Sequence, residues 1–167
     1  MVMSRARQNI VVEVTAHPDR PDVNPLDLEV LVKAVCKRFD VSNATAGIAI
    51  VDDAEFREIN SRFLNRKSTS DCLSFDLSEE GEPKSGRLFE LVVNGDMAVK
   101  QAALRGHSSR AELALYVTHA LLHNVGFDDS TETRAGEMHK IEDEILQQLG
   151  YGSVYNSRTN TKRRKRE

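Results

Sequence analysis

Apolar residues along this chain follow two rhythms. Some fall in short β-branched runs, others recur at every third or fourth position, and each change of rhythm marks a new element. Ile10–Val14 predicts a first strand, with Val11, Val12 and Val14 as its β-branched residues. Asn24-Pro25 predicts a helix start, with Asn capping the first turn and Pro opening it. Leu28, Leu31, Val32, Val35 and Phe39 follow at helical spacing and give that helix one buried face. Ile48–Val51 predicts a second strand. Asp52 with Glu55 resembles a capping box, and Phe56, Ile59 and Phe63 form the apolar side of the helix it begins.

The stretch 64–71 (LNRKSTSD) is polar and predicts a surface loop, Cys72–Leu77 a third strand, and 79–87 an exposed connector carrying Gly81, Pro83 and Gly86. Leu88–Val93 predicts a fourth strand, which Asn94-Gly95-Asp96 turns into a short helix ending near Gly106. Ser109-Arg110-Ala111-Glu112 is a second capping-box pattern, opening a helix that runs to Gly126. After Asp128-Asp129 a last helix sets Met138, Ile141, Ile145 and Leu149 on one face and stops at Gly150. The expected fold is α+β, one domain with a small mixed sheet of about four strands and about five helices. Residues 1–152 form that domain, and 153–167 are a basic tail expected to be disordered.

Composition changes this picture little. The chain has 167 residues, 40% hydrophobic and 29% charged, which suits one ordinary core. No apolar run approaches the roughly 20 residues of a membrane span, and the first residues lack the apolar stretch of a secretory signal. Charge is more informative. The net −3 conceals an acidic body and a basic end, where Arg158, Lys162, Arg163, Arg164, Lys165 and Arg166 face only Glu167. Such an end is a solvated tail or a sequence-independent tether to RNA phosphates. Cys36 and Cys72 lie in apolar segments and read as two buried thiols of a reducing compartment, though sequence alone leaves a disulfide open.

The candidate chemistry lies in His119-Ala-Leu-Leu-His123-Asn-Val-Gly-Phe-Asp-Asp129. His119 and His123 are four apart, one helical turn, so both imidazoles share a face and can hold one ion. Gly126 ends the helix and lets the chain bring Asp128 or Asp129 back towards the rings. Two His and one carboxylate make a three-ligand site with open positions, the catalytic kind of zinc site. Ala120 stands where a zinc peptidase of the HExxH kind needs its Glu, which disfavours proteolysis. Glu112, two turns before His119, is a candidate partner for an imidazole N–H, or simply the third residue of its capping box.

Segment 119–129 resembles the signature H-G-x-L-H-L-x-G-Y-D-H of the YbeY family of bacterial rRNA-maturation endoribonucleases. Ser70-Asp71-Cys72-Leu73-Ser74-Phe75 resembles that family's T-D-V-L-S-F strand, and Gly95-Asp96-Met97 its G-D-I turn. Gly106-His107-Ser108 through Glu112-Leu113-Ala114 resembles its G-H-S…R-E-L-A run. Glu137-Met138 and the acidic stretch 142–144 resemble its final helix. The resemblance implies a cytoplasmic, single-strand-specific metallo-endoribonuclease of late 16S rRNA 3′-end maturation and ribosome quality control. Its implied partners are single-stranded rRNA and the small ribosomal subunit with its proteins.

The resemblance also implies one zinc ion per chain, held at the signature's three His positions. Those positions fall on His119, His123 and Asp129, which are therefore the implied metal and catalytic residues, the last a carboxylate in place of a histidine. His139 is a remote further candidate. Ser70, Asp71 and Ser74 are candidates to line the cleft. A second departure concerns an Arg that follows an aromatic residue in the family, because that position is Leu64, after Phe63 and between Arg62 and Arg66. Two rival readings remain, a ribosome-assembly factor that keeps the fold without the chemistry and a metal-dependent hydrolase of another substrate class.

Overall fold

The computed structural model describes residues 7–66, 68–78, 86–152 and 154. Residues 79–85 of the connector and all of the basic tail except Val154 lie outside them. The element order is β1 (Asn9–Ala16), α1 (Pro25–Arg38), β2 (Asn43–Val51), α2 (Asp53–Leu64), β3 (Cys72–Asp76), β4 (Arg87–Asn94), α3 (Gly95–Arg105), α4 (Ser109–Asn124) and α5 (Glu132–Gln148). The strands form one mixed sheet in the order β1-β2-β4-β3. The first three are parallel, while β3 runs antiparallel to β4 and forms an edge. Among the described residues the chain adopts the expected α+β domain, with four strands and five helices.

Capping explains most helix starts. Asn24 Oδ1 accepts from the Leu26 N–H with Pro25 next, and Asp52 Oδ1 accepts from the Glu55 N–H. Asn94 Oδ1 accepts from Met97 and opens α3 directly at the end of β4. One expected cap is displaced. The cap of α4 is Ser108, whose hydroxyl accepts from the Ala111 N–H, so Glu112 is the fourth residue of the helix and not the third. Glu112 is fully buried, and Oε1 takes donors from Arg105 and His107 at 2.9 Å each, tying the end of α3 to the start of α4. In place of the two roles considered for it, an imidazole partner at the candidate site or the third position of a capping box, Glu112 joins two helices.

β2 is longer than its Ile48–Val51 pattern predicts. Its first half, Asn43–Gly47, carries Ala44 and Ala46 inward, both buried but too small to signal a strand, and ladders with β1 and β4 hold it on both sides. Phe63 departs from expectation in the opposite sense. It is 66% exposed, while Phe56 and Asn60 supply the buried positions of α2. Cys36 and Cys72 are free thiols, so no disulfide joins them.

The core lies on one face of the sheet. Ile10, Ala46, Ile48, Phe89, Leu91 and Val93 point there and meet α1 and α4, with α5 packed on α4. Helix α4 is the axis of this layer. Every residue from Ala111 to Asn124 is buried except His119 and His123. Leu115, Tyr116, Leu121 and Leu122 are at most 2% exposed, each worth ~1.5–3 kcal/mol of burial, so the helix is held rigidly. Truncating one, as in Leu121→Ala, costs about 2–5 kcal/mol through the cavity it leaves. A rigid, otherwise buried helix thus presents two histidines.

Candidate metal centre

His119 faces helix α5 and the turn after α4, with Asp71 just before β3 close enough to act on it, and His123 faces the same turn. Their rings meet edge-on at 86° with centroids 4.6 Å apart, and their Nε2 atoms are 3.0 Å apart. The turn is built by Gly126, whose φ of +106° only glycine adopts freely. It lets the Phe127 N–H donate to the Leu122 carbonyl, while the Phe127 ring packs edge-on against Phe39. Two residues on, Asp129 Oδ2 comes within 3.6 Å of His119 Nε2 and 3.8 Å of His123 Nε2. Asp128 turns elsewhere, accepting from the Ser130 backbone and hydroxyl and from Arg134. Of the two, Asp129 is the one that lies against the rings.

Hydrogen-bond bookkeeping then says what these three atoms want. His119 Nδ1 lies 2.6 Å from Glu142 Oε1, and His123 Nδ1 lies 3.1 Å from the Phe127 carbonyl oxygen. Both partners are pure acceptors, a carbonyl and a carboxylate, so each Nδ1 is the protonated nitrogen. In its neutral form each ring then aims its Nε2 lone pair inward, beside a carboxylate oxygen. Three electron-pair donors face one point, and a cation resolves their mutual repulsion. A tetrahedral Zn²⁺ with bonds of about 2.0–2.1 Å needs donor–donor edges of roughly 3.3 Å. The observed 3.0, 3.6 and 3.8 Å bracket that value, and two imidazoles with one carboxylate suit zinc chemically. The residues present fit the ion.

Glu142 is fully buried and accepts from two histidines, His119 at Oε1 and His139 Nδ1 at Oε2, 2.9 Å away. Burial pushes its carboxyl pKa up, but the hydrogen bonds from His119 and His139 outweigh this and hold it below the ordinary carboxylate value. For His119 burial works against the charged ring, and the Glu142 bond and charge more than reverse it, raising the pKa. Burial drives the Cys72 thiol up, with Asp71 and Glu142 adding to the effect, so Cys72 beside the site is a neutral thiol.

His119, His139 and Glu142 form a second close grouping around the same ring, so His139 reaches the site through a carboxylate. The sequence did carry a signal for Glu142, a charged residue interrupting the buried stripe between Met138 and Ile145. The neighbours of the family's missing arginine are also visible. Leu64 ends α2, 42% exposed, beside Phe63, whose ring tilts against Phe75 at 6.0 Å. Arg62 pairs back along the helix with Glu58. Ser70 donates to Asp71, whose charge is felt at His119, and Ser74 is half-buried on β3.

Residues 15–150 match the family model described as Endoribonuclease YbeY. The chain is 35% identical over 141 residues to the Endoribonuclease YbeY of Chromobacterium violaceum, covering 81% of this chain and 83% of that one. It is 38% identical over 107 residues to that of Nautilia profundicola, covering 64% and 73%. In three dimensions it is similar to a Thermotoga maritima protein solved in solution, with a TM-score of 0.55 at 20% identity over 83% of this chain and 91% of the other, a likeness of fold. By sequence match along most of its length, this chain belongs to the Endoribonuclease YbeY family.

Proposed function

We propose that the chain is a zinc-dependent endoribonuclease that cuts single-stranded RNA, with His119, His123 and Asp129 holding one ion. The observation that carries this reading is the convergence of His119 Nε2, His123 Nε2 and Asp129 Oδ2 on one point, with both Nδ1 hydrogens committed elsewhere. Bound there, zinc supplies a Lewis acid for a phosphoryl oxygen and lowers the pKa of an attached water.

The chain's own residues do the remaining work. Glu142 and the Phe127 carbonyl hold the two imidazoles in the tautomer that leaves Nε2 free to ligate. Asp129, at the exposed mouth, supplies the third donor and keeps that side open to an extended phosphodiester. Single strands fit better than duplexes here, because their backbone bends into a local site while an A-form helix presents a stiff, broad surface. The surrounding carboxylates, Asp71, Asp129 and Glu142, favour a cation and repel a bare phosphate, so RNA approaches productively when the site is loaded.

Family membership supports late 16S rRNA 3′-end maturation as the setting, with the small ribosomal subunit and its proteins as partners and the cytoplasm as the place. No described helix is long and apolar enough to cross a membrane. The test is cleavage of a single-stranded RNA and of the same sequence in a duplex, with wild type and His123→Ala, each with zinc and with chelator. The reading expects cleavage of the single strand by zinc-loaded wild type alone. Equal cleavage by His123→Ala overturns it.

One observation favours a second reading. Leu64, at the position of the family's arginine, offers no charge to a transferring phosphoryl group. A ribosome-assembly factor that keeps the metal and the fold without cutting RNA accommodates that leucine. Binding to small subunits with no cleavage by the zinc-loaded protein is the outcome that selects it.

A further inference from the structure

Glu142 is a buried carboxylate between two imidazoles, and only one of them faces the proposed metal position. Oε1 lies 2.6 Å from His119 Nδ1 and Oε2 lies 2.9 Å from His139 Nδ1, while the Glu142 side chain has no exposed surface. His139 precedes Glu142 by three residues on α5, so the helix sets the two side by side. The His139 ring lies nearly parallel to that of His119, at 17° with centroids 6.2 Å apart.

A glutamate carboxylate rotates freely about its last bond unless both oxygens are held. With Oε1 alone engaged, the plane of the carboxylate is undefined, and the buried Oε2 lacks a donor at the full cost of a desolvated charge. With both engaged, the plane is fixed, which fixes the direction from which His119 Nδ1–H must donate. That in turn fixes where His119 Nε2 points. A ligating side chain has to sit within about 0.5 Å of its productive place, and such tolerance comes from the atoms behind it.

We propose that His139 is a positioning residue that acts through Glu142, locking the carboxylate that keeps His119 protonated at Nδ1 with Nε2 turned towards His123 and Asp129. The effect on ion affinity rests on the metal reading above, but the effect on the His119 ring does not. A second ion among His119, His139 and Glu142 is the competing account of the same cluster. It would strip both Nδ1 hydrogens and consume both nitrogens of His119. The contacts of 2.6 and 2.9 Å are hydrogen bonds to a carboxylate, the first of them short, and need no ion.

The experiment has two arms, each with wild type, His139→Ala, His139→Asn and Glu142→Gln. Asn places an amide N–H close to where the imidazole Nδ1–H sits, so it tests rescue. In the first arm, nitrogen-15 NMR of the histidine rings in metal-free protein, at a pH where the His119 ring is neutral, reads its tautomer. A single Nδ1–H form is expected in wild type and His139→Asn, and a mixture of tautomers in His139→Ala and Glu142→Gln. In the second arm, zinc affinity is measured by competition with a chromophoric chelator. His139→Ala should bind about tenfold or more weakly and Glu142→Gln 10–100-fold more weakly, with His139→Asn close to wild type.

A merely structural His139 lowers the melting temperature of the alanine variant and leaves both the His119 tautomer and the zinc affinity of the folded protein unchanged, which overturns the proposal. Two zinc ions per wild-type chain, with one lost in His139→Ala, also overturns it in favour of the second-ion account. If wild type takes up no zinc but the tautomer responds as expected, the metal reading fails and the positioning role stands.

Discussion

His119 and His123 bring their Nε2 atoms to 3.0 Å although the Nδ1 hydrogen of each ring is already given to another acceptor. Two lone pairs so close repel unless a proton or a cation lies between them. The contacts of each Nδ1 with Glu142 and with the Phe127 carbonyl hold the two rings in this approach. An ion that binds this arrangement therefore stabilises the folded chain and has no equivalent site in the unfolded one. At a free concentration 100 times its Kd it adds about 2.7 kcal/mol. For a domain of this size, that is a rise in Tm of roughly 5–10 °C. Calorimetry with zinc and with chelator should show this rise in wild type, with one ion per chain by elemental analysis. His123→Ala should show neither, and an equal shift in that variant removes the site assignment.

Asp128 and Asp129 are neighbours with different duties, and substitution separates them. Asp129→Ala removes one of three donors and should weaken zinc binding by at least about tenfold, as even indirect supports of a metal site are worth 10–100-fold. Asp129→His restores a nitrogen donor and should preserve or tighten binding. Asp128 is occupied by Ser130 and Arg134, which hold its carboxyl pKa below the ordinary range, so Asp128→Ala should lower Tm slightly and leave zinc affinity within about twofold. A chelator-competition titration of the three variants decides the matter. Unchanged affinity in Asp129→Ala with a fall in Asp128→Ala would exchange the two roles.

The sequence makes the site more legible than its supports. His119 and His123 are found from spacing because helical geometry dictates which side chains share a face. The glycine that turns the chain back over them leaves Asp128 and Asp129 equal candidates, and only the family resemblance points to Asp129. The strand cores and the caps at Asn24 and Asp52 are likewise local, since the residues that decide them lie within a few positions of one another. What spacing does not reach is set by tertiary contact. Ala44 and Ala46 extend β2 because strands lie on both sides, not because alanine prefers a strand. Glu112 serves Arg105 and His107 across the α3–α4 corner, where the next helix rather than its own decides its partner. Phe63 is exposed because α2 presents Phe56 and Asn60 to the fold and leaves Phe63 at the surface, against the Phe75 ring of β3. His139 and Glu142 meet His119 from a different helix, 23 residues away in the case of Glu142, and no local pattern records that meeting.

Leu64 permits a gain-of-function test. It ends α2 next to Phe63, and 42% of it is exposed, so replacing it costs little packing. If the guanidinium of the family pattern stabilises charge on the transferring phosphoryl group, Leu64→Arg should raise kcat/KM on single-stranded RNA by at least about tenfold at saturating zinc. Zinc affinity should not change, because this side chain is not among the converging donors. Cleavage rates for the two proteins on one labelled strand give the answer. No gain, from a folded and zinc-loaded variant, would place the arginine's role in the family elsewhere or show that this chain compensates by another route.

Asp53 supplies a prediction about acid stability. One of its oxygens accepts from the Thr69 hydroxyl at 2.6 Å and from Asn94 Nδ2 at 2.9 Å, and the other from Arg57 at 2.7 Å. It thereby joins the start of α2 to the loop before β3 and to the junction of β4 with α3. The Thr69 hydrogen bond, then those from Arg57 and Asn94, hold its carboxyl pKa far below the ordinary carboxylate value. A group whose pKa is depressed in the folded state stabilises the fold fully above the unfolded value, about 3.9 for Asp, and loses that contribution as pH falls towards the folded value. Asp53→Asn should therefore be less stable than wild type near pH 7. The difference should stay constant down to about pH 5 and shrink steadily below about pH 4. Because over a third of the side chain is exposed, solvent screens the effect and the difference at neutral pH should be modest. Urea unfolding of both proteins at several pH values tests it. A difference that persists undiminished at pH 2 would mean that Asp53 acts through shape and not through its charge.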